Sequence, residues 1–430
     1  MKIEKKLWIT LFVFGLFAIG FSGWIFSQST AREKLLWDNT IRFETKKLTD
    51  GEIKSENIAL PEDFDDPRSI LFKTTHTIAE VWLDGEKIYE YGNEEDAPSF
   101  MKSPGSCWHI VNIPEDSAGK SLEVRIIPVY DNYYGNEVSI VYGTRGNCVL
   151  KILMDSFKTL LLSCGILFAS IICLLLYLGA VRRKRRDKTE TKIEVFLNLG
   201  FFSLLIAVWT LAQCGFLQFL IPDGRTLYFV DYFSFFLFPV PFNFLLYDIC
   251  KSRYHKGALI FPILYLANMA ADVLLQCTGV IDMFRLLPAT HVIMAANSVY
   301  TIALILYEAR KEGNDEAKKF QYPMCVLIVF GMAEMFLYYL RKFQQTSILL
   351  PIGTLLFIIM LIWIQVSQYY DQYIQKQKVI YLQKIANMDM LTEAMNRNAY
   401  EDMVKYLEES DIKLRTTGVV LFDLDNLKVI

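Results

Sequence analysis

The stretch LMDSFKTLLLSCGILFASIICLLLYL, residues 153–178, decides the fold class because it is long and almost wholly apolar. About 20 such residues, rising about 1.5 Å each, cross the hydrocarbon core of a bilayer. Six further apolar segments follow, at about 196–215, 227–247, 258–275, 286–307, 322–340 and 348–365. A hydrophobic content of 53% and a mean hydropathy of +0.27 also fit a membrane protein. We therefore expect a seven-helix transmembrane bundle over residues 153–365.

The loops between these segments predict its orientation. The loops after the first, third and fifth segments hold 14 Lys and Arg residues, against 4 in the alternate loops. Basic loops stay in the cytoplasm, so the C-terminus is expected inside and the residues before 153 outside. The predicted location is the cell membrane, with the lipid bilayer as a partner and the chain crossing it several times.

The first segment, residues 1–27, is predicted to be a membrane anchor. Three lysines (Lys2, Lys5 and Lys6) precede an apolar run of 20 residues, 7–26. That length favours an uncleaved helix. A cleaved signal peptide, with small residues at 27–31, is the alternative. Either way the following residues are exported, and with the anchor the chain would have eight spans and both termini inside.

Residues 28–152 have the pattern of an extracytoplasmic antiparallel β-sandwich. Residues 28–150 hold 13 basic against 22 acidic side chains, and short alternating runs replace the long apolar ones. Asp84-Gly85 stands between two such runs and predicts a type I′ hairpin turn. The predicted strands are 78–83, 86–91, 108–113 and 121–129. The block resembles the jelly-roll sensor domains found ahead of seven-span bacterial receptors.

Aromatic residues in this block suggest where a ligand binds. Trp37, Trp82 and Trp108 fit either carbohydrate stacking or core filling, and core filling is favoured because Trp82 and Trp108 lie inside predicted strands. The loop 131–136 is the better ligand candidate, since it is polar and should expose its aromatic side chains. Those side chains are Tyr133 and Tyr134.

The eight cysteines show no C-x-x-C pair and no Cys/His metal spacing. Cys107 and Cys148 are the two in the acidic block. In an oxidising compartment they could form a disulfide, or remain two unpaired thiols. No uniform basic patch suggests nucleic-acid binding.

Ionisable residues fall within the predicted spans, where charge is costly and is often functional. Four of them are candidate site residues: Asp231, Asp272, His291 and Glu334. On the predicted topology all four lie in the outer part of the bundle and would line a cavity beneath the β domain. The alternative is that each is solvated near the interface or belongs to a structural polar pair.

Residues 366–388 are polar but helix-prone and predict a signalling linker. Val366, Tyr370, Tyr373 and Ile380 follow a 3-4 spacing, which is a weak, short heptad seam. The helix would pair in a homodimer or remain a monomeric juxtamembrane helix.

The segment 386–400 resembles the entry motif of GGDEF domains (diguanylate cyclases), D-x-L-T-G-L-x-N-R. The matching residues are Asp389, Leu391, Thr392, Asn396 and Arg397, whereas Glu393 and Ala394 depart from it. The end of the chain, 417–430, is an apolar strand followed by Asp423-x-Asp425 and resembles the family's D-x-D-x-F-K-x-I-N-D. Asp423, Asp425, Lys428 and Ile430 match, and Leu427 replaces the Phe.

The resemblance implies that Asp423, with the backbone carbonyl of Leu424, binds Mg²⁺ and that Lys428 contacts the phosphates of GTP. It also implies a ferredoxin-like α/β domain that works as a homodimer. The family's guanine-binding Asn and its Gly-Gly hairpin do not occur in this sequence. We therefore expect residues 389–430 to be the first part of a GGDEF domain, incomplete and inactive as given.

Together these patterns predict a bacterial-type membrane sensor for an unknown extracytoplasmic ligand. Its output would be a cytoplasmic diguanylate cyclase that joins two GTP molecules into cyclic di-GMP. A receptor without catalysis is the alternative. A transporter is less favoured, because no inverted repeat is evident in the sequence.

Overall fold

A computed structural model gives the architecture. It describes residues 40–44, 55–60, 68–93, 97–133, 136–187, 194–340, 348–389, 392, 394–409 and 420. The predicted anchor (1–27), Trp37 and Tyr134 lie outside the described residues, as do Asp423, Leu424, Asp425 and Lys428. The chain divides into two compact units, Met1–Met360 and Leu361–Ile430, which are described separately below.

Among the described residues of the first unit, eight strands form two four-stranded sheets, in which every pair is antiparallel. The strands are β1 Thr40–Glu44, β2 Ser55–Ala59, β3 Arg68–Thr75, β4 Thr77–Leu83, β5 Glu86–Tyr91, β6 Ser106–Asn112, β7 Ser121–Pro128 and β8 Glu137–Thr144. Their orders are β1-β8-β3-β6 and β2-β7-β4-β5. Apart from β4 and β5, strands adjacent in a sheet are not consecutive in the chain, so the chain alternates between the two sheets.

Side chains from both sheets share one apolar core. Ile70 and Phe72 of β3 are fully buried against Leu122, Val124 and Ile126 of β7. Burial alternates along β7 and puts these three on one face, as expected for the strand predicted at 121–129. The strands therefore form the predicted antiparallel β region.

The predicted hairpin is also confirmed. Leu83 pairs with Glu86, and the two turn residues between them have positive φ, 46° at Asp84 and 86° at Gly85. Two positive φ values are what a type I′ turn requires, and glycine reaches one without steric cost.

Trp82 and Trp108 do not fill this core, although core filling was favoured for them. Trp82 is in a strand but only half-buried, and it lies under the guanidinium of Arg125 at 4.7 Å from the ring centre. Its indole N–H donates to Glu80 Oε2 at 3.0 Å. Trp108 is likewise half-buried and packs in a separate cluster where the sandwich meets the helices. In both cases strand alternation turns the ring away from the shared core, which explains why the core prediction is wrong for them.

The helices of the first unit follow directly on the last strand. They are α1 Arg145–Asp187, α2 Glu194–Ala212, α3 Gly224–Leu237, α4 Pro239–Ile249, α5 Ile260–Cys277, α6 Met283–Arg310, α7 Asp315–Leu340 and α8 Leu349–Asn387. Among the described residues, seven helical stretches are long and apolar enough to cross a membrane, with α3 and α4 forming one of them. They cover the seven predicted segments, so this is a multi-pass membrane protein.

Two features of these helices were not predicted. The first begins at Arg145, immediately after β8, so no linker separates sheet from helix. The third is interrupted at Phe238, where Pro239 opens α4 and Pro241 follows. Proline lacks the N–H that would continue a helix but is tolerated in a first turn, which accounts for the break.

The second unit contains the rest of α8, a turn, and α9, Arg397–Glu409. The helix predicted over 366–388 is observed as far as Asn387, as part of α8. The seam residues Val366, Tyr370, Tyr373 and Ile380 are all exposed. The strand predicted at 419–422 lies outside the described residues except for Val420, which is exposed.

Candidate functional site

The β-sandwich is fixed to the ends of the helices by buried polar contacts. The side-chain amide of Gln218 binds the backbone of Trp108 twice, accepting from its N–H and donating to its carbonyl at 2.7 Å each. β6 is the edge strand of its sheet, so Gln218 takes the place of a neighbouring strand. Tyr130 donates from its hydroxyl to Asp282 Oδ2 at 2.5 Å.

Glycines allow the close approach. A Cβ on Gly105 would lie 2.2 Å from the carbonyl oxygen of Gly224 at the start of α3. A Cβ on Gly215 would lie 2.5 Å from the indole nitrogen of Trp108. The sandwich and the helix ends therefore meet backbone to backbone, which leaves little room for sliding.

Beneath this junction, a cavity of about 80 Å³ opens among the helices. Three of the four predicted ionisable residues line it: Asp231 on α3, His291 on α6 and Glu334 on α7. The remaining lining residues are Trp209, Gln213, Tyr232, Phe235, Leu287, Met294, Gly331, Met335, Tyr338 and Leu350. Sequence reasoning predicted that such a cavity would gather these charges, and the helices bring those three together.

The two carboxylate oxygens of Asp231 differ in their hydrogen bonding. Its Oδ1 accepts a hydrogen bond of 3.0 Å from Gln213 Nε2. Its Oδ2 has no hydrogen-bond partner among the described residues. Asp231 and Gln213 also line a second, smaller cavity that reaches His76 and Trp108 of the sandwich. The carboxylate therefore stands in the wall between the helix cavity and the sandwich junction.

His291 is buried, with 8% of its surface exposed. Its Nδ1 lies 2.8 Å from the hydroxyl of Tyr339, and the roles of donor and acceptor depend on the tautomer. Its Nε2 has no hydrogen-bond partner within the described part of the chain. The ring packs edge to face on Phe235, at 5.8 Å between centres, and on Tyr338, at 5.6 Å.

Glu334 connects the cavity to the start of α8. Its Oε2 accepts from the backbone N–H groups of Ile348, Leu349 and Leu350, at 3.1, 2.5 and 3.2 Å. The first N–H groups of a helix have no partner within it, and a carboxylate there also meets the positive end of the helix dipole. Leu350 lines the same cavity. Anything that moves Glu334 acts on the first turn of α8.

Asp272 does not line this cavity. It is 2% exposed, and its Oδ2 accepts from Asn268 Nδ2 at 2.8 Å. Asn268 in turn donates to Thr290 Oγ1 at 2.9 Å. Asp272 therefore belongs to a polar cluster that Asn268 extends from α5 to α6, which fits the structural alternative of a polar pair.

Tyr133 was expected to be exposed on a ligand-binding loop, and this is wrong. It is only 3% exposed and packs against His76, at 5.3 Å between rings, and against Phe284 of α6. The loop turns inward because the helix ends offer a large aromatic surface to cover. Burial raises the pKa of the Tyr133 hydroxyl well above its usual value.

The disulfide between Cys107 and Cys148 is not formed, since both thiols are free and buried. Cys107 lies 3.4 Å from His109 Nε2 and opposite Thr74 on β3. The Cys148 thiol donates to the carbonyl of Ser69, five residues away along the same strand. At roughly 3.3 Å per residue, that places the two thiols far beyond bonding distance.

His76 was missed by sequence reasoning. It joins β3 to β4 with a positive φ of 52°, and it is 2% exposed. Its Nδ1 lies 2.6 Å from Ser103 Oγ, and burial lowers its pKa to about 3, so it stays neutral. Rings from the sandwich and from the helices surround it, including Tyr228 and Phe284. A single histidine between two strands has no sequence pattern that would have revealed this.

In the second unit, Asp389, Thr392 and Asn396, three of the residues that carry the GGDEF resemblance, make local hydrogen bonds. Asp389 Oδ1 accepts from the backbone N–H and the hydroxyl of Thr392, both at 3.0 Å. Asn396 Nδ2 donates to the carbonyl of Ala386 at 2.7 Å, and its Oδ1 accepts from the N–H of Ala399. These contacts end α8 and cap α9, which gives the motif a local structural role.

Among the described residues, no group of three or more His, Cys, Asp or Glu side chains could hold a metal ion. No family model matches the sequence, and no curated protein matches it significantly.

Proposed function

We propose that this protein is a membrane receptor in which the helix cavity holds the signal and α8 carries the response. The observation that carries the proposal is the double position of Glu334. Its carboxylate lines the cavity and also holds the first turn of α8. A ligand that binds the cavity and changes the hydrogen bonding of Glu334 would shift the equilibrium of that turn.

The shape of α8 supports this role. α8 extends from Leu349 to Asn387, and its first turn is the part that Glu334 contacts. The helix ends at the turn built by Asp389 and Asn396. The seam at Val366, Tyr370, Tyr373 and Ile380 is exposed and available to a second copy, which supports the predicted homodimer.

The topology of the β-sandwich supports a role as a sensor domain. The strand orders β1-β8-β3-β6 and β2-β7-β4-β5 are those expected of a jelly roll, in keeping with the resemblance to the sensor domains of seven-span receptors. The orientation proposed from the basic loops places the sandwich outside the cell and the end of α8 in the cytoplasm.

The proposed output is a GGDEF-type domain. The turn built by Asp389 and Asn396 supports an ordered connection into such a domain, and Asp423 and Lys428 would meet Mg²⁺ and the phosphates of GTP there. Titration of the purified chain with a fluorescent GTP analogue tests this. Because the guanine-binding Asn is absent from residues 389–430, we expect weak, Mg²⁺-dependent binding through the phosphates, which Asp423→Asn and Lys428→Ala each reduce further. Equal binding by both variants would leave a receptor without a nucleotide output.

The receptor itself is tested by Glu334→Gln and His291→Ala in the full chain. We expect both substitutions to change the conformation of α8 in membranes, read by spin labels on its exposed residues Lys376 and Lys384. A matched control is Glu312→Gln, an exposed carboxylate that does not line this cavity. An α8 signal that is the same in all four proteins would remove the basis of the proposal.

A further inference from the structure

We propose that the helix cavity binds a small organic cation, an amine in its protonated or quaternary form, with Asp231 as its counter-ion. This inference rests on the proposed receptor function and deepens it by naming the class of signal.

The charge of the residues that line the cavity favours a cationic ligand. Two carboxylates, Asp231 and Glu334, line the cavity, and no Lys or Arg is among the described residues that do. Glu334 is offset by the N-terminus of α8, but Asp231 has only the neutral amide of Gln213. A carboxylate within a membrane helix is costly without a partner. A cation bound beside Asp231 would supply that partner.

The aromatic residues that line the cavity favour an organic cation over an inorganic one. Trp209, Tyr232, Phe235 and Tyr338 all line the cavity. Trp209 and Phe235 stand 5.5 Å apart between ring centres, and His291 joins Phe235 to Tyr338. Aromatic faces attract cations, most strongly where water is excluded. An inorganic ion would gain little from these rings, whereas an amine with methyl or methylene groups would contact them.

Two polar atoms in the cavity are available to hydrogen-bond a ligand. Within the described residues, Asp231 Oδ2 and His291 Nε2 both lack partners although both residues line the cavity. Neither atom is fully enclosed by protein, so both are accessible from the cavity. A bound ligand or water can supply the missing hydrogen bonds.

Size limits the ligand. A cavity of about 80 Å³ holds a few waters or a molecule of several heavy atoms. That fits compounds on the scale of choline, ethanolamine or putrescine and excludes a peptide or an oligosaccharide at this site.

The test is calorimetric titration of the purified full chain in lipid nanodiscs. The probes are choline, ethanolamine and putrescine, with 3,3-dimethylbutan-1-ol as the uncharged isostere of choline. We expect at least one cation to bind, and if choline is that cation, its isostere to bind at least about tenfold more weakly, since cation–π and charge contacts are both lost. Absence of binding by all three cations overturns the inference, and so does an isostere that binds as well as choline.

Variants locate the site. Asp231→Asn keeps the shape and should weaken cation binding at least about tenfold. Asp272→Asn is the matched control, because that carboxylate is also buried between helices but does not line the cavity. Equal binding by Asp231→Asn and the wild type would contradict the proposal.

The same samples separate this inference from the proposed function. If no cation binds but Glu334→Gln still changes α8, the ligand class is wrong and the receptor role stands. If a cation binds at Asp231 and α8 is unaffected by both ligand and Glu334→Gln, the cavity is a cation site without the proposed output.

Discussion

The hydroxyl of Tyr130, in the loop after β7, donates a 2.5 Å hydrogen bond to Asp282, the residue that precedes α6. Asp282 is 6% exposed, and its other oxygen accepts from Gln276 Nε2 at 2.9 Å. Gln276 also donates to the carbonyl of Phe100 in the sandwich. A buried polar network therefore joins the sandwich to α5 and α6, and it makes the sandwich and the helix ends one mechanical unit.

Tyr130→Phe should destabilise this junction by about 1–3 kcal/mol, because Asp282 would keep its burial and lose a donor. The measurement is the thermal unfolding midpoint of the purified chain in detergent. Tyr322→Phe is the matched control, since Tyr322 is 67% exposed and should tolerate the change. Equal midpoints for the two variants would show that the hydrogen bond contributes nothing.

Two glycines with nearly the same backbone isolate the contact between sandwich and helices. Gly85 and Gly105 have φ of 86° and 85°, so alanine pays the same backbone cost at both, about 1 kcal/mol or somewhat more. A Cβ at Gly85 meets nothing within 4 Å, whereas at Gly105 it would collide with the backbone of Gly224. Gly105→Ala should therefore lower the unfolding midpoint clearly more than Gly85→Ala. Similar unfolding midpoints for the two variants would mean that the contact between Gly105 and Gly224 can rearrange at little cost in stability.

Two buried histidines predict a loss of stability in acid. Burial lowers the pKa of His76 and of His109 to about 3, against about 6.5 in an unfolded chain. Between pH 6.5 and 3 the unfolded state binds these protons and the folded state does not. The free energy of unfolding therefore has its full value above pH 6.5. It decreases as the pH is lowered from 6.5 towards 3, by up to about 1.4 kcal/mol per pH unit for each histidine.

Unfolding of wild type and His109→Gln from pH 7 to pH 5 checks this. His109 is held by Thr74 Oγ1 at 2.7 Å and Tyr89 Oη at 2.8 Å, so glutamine keeps some hydrogen bonding. The variant should be less stable at pH 7 but lose less stability on acidification. Parallel curves would assign the acid sensitivity to other groups.

Much of the fold could be predicted from local signals. Long apolar segments gave the membrane helices, and Asp84-Gly85 gave the hairpin, because bilayer thickness and turn geometry each act over a few residues. The helix break at Phe238 also has a local cause, Pro239. It was not predicted because the apolar segment 227–247 was assigned as one span from its length.

The site was predictable only in part. Charge within spans identified Asp231, His291 and Glu334, because ionisable groups are costly there. Sequence could not separate them from Asp272, which does not line the cavity and accepts from Asn268 on its own helix. Nor could it find His76 or the inward turn of Tyr133, since both depend on aromatic residues far away in the chain that meet only in the folded structure.

The exposed seam of α8 predicts a dimer contact. Ile380→Cys lies on that seam and should form disulfide cross-links between copies in membranes, whereas Lys378→Cys, on a different face of the helix, should not. The segment 366–388 contains no native cysteine. Cross-linking that is equal at both positions would point to chance collision, and none at either would favour a monomeric helix.

The most direct test of the central claim is amide hydrogen exchange at Leu349 and Leu350, whose N–H groups are held by Glu334. Losing a charge-assisted cap of roughly 1.4 kcal/mol corresponds to about tenfold faster exchange. We predict that acceleration in Glu334→Gln, with a smaller change of exchange rate at the same amides when a cation fills the wild-type cavity. Unchanged exchange in both cases would contradict the claim that the cavity controls α8.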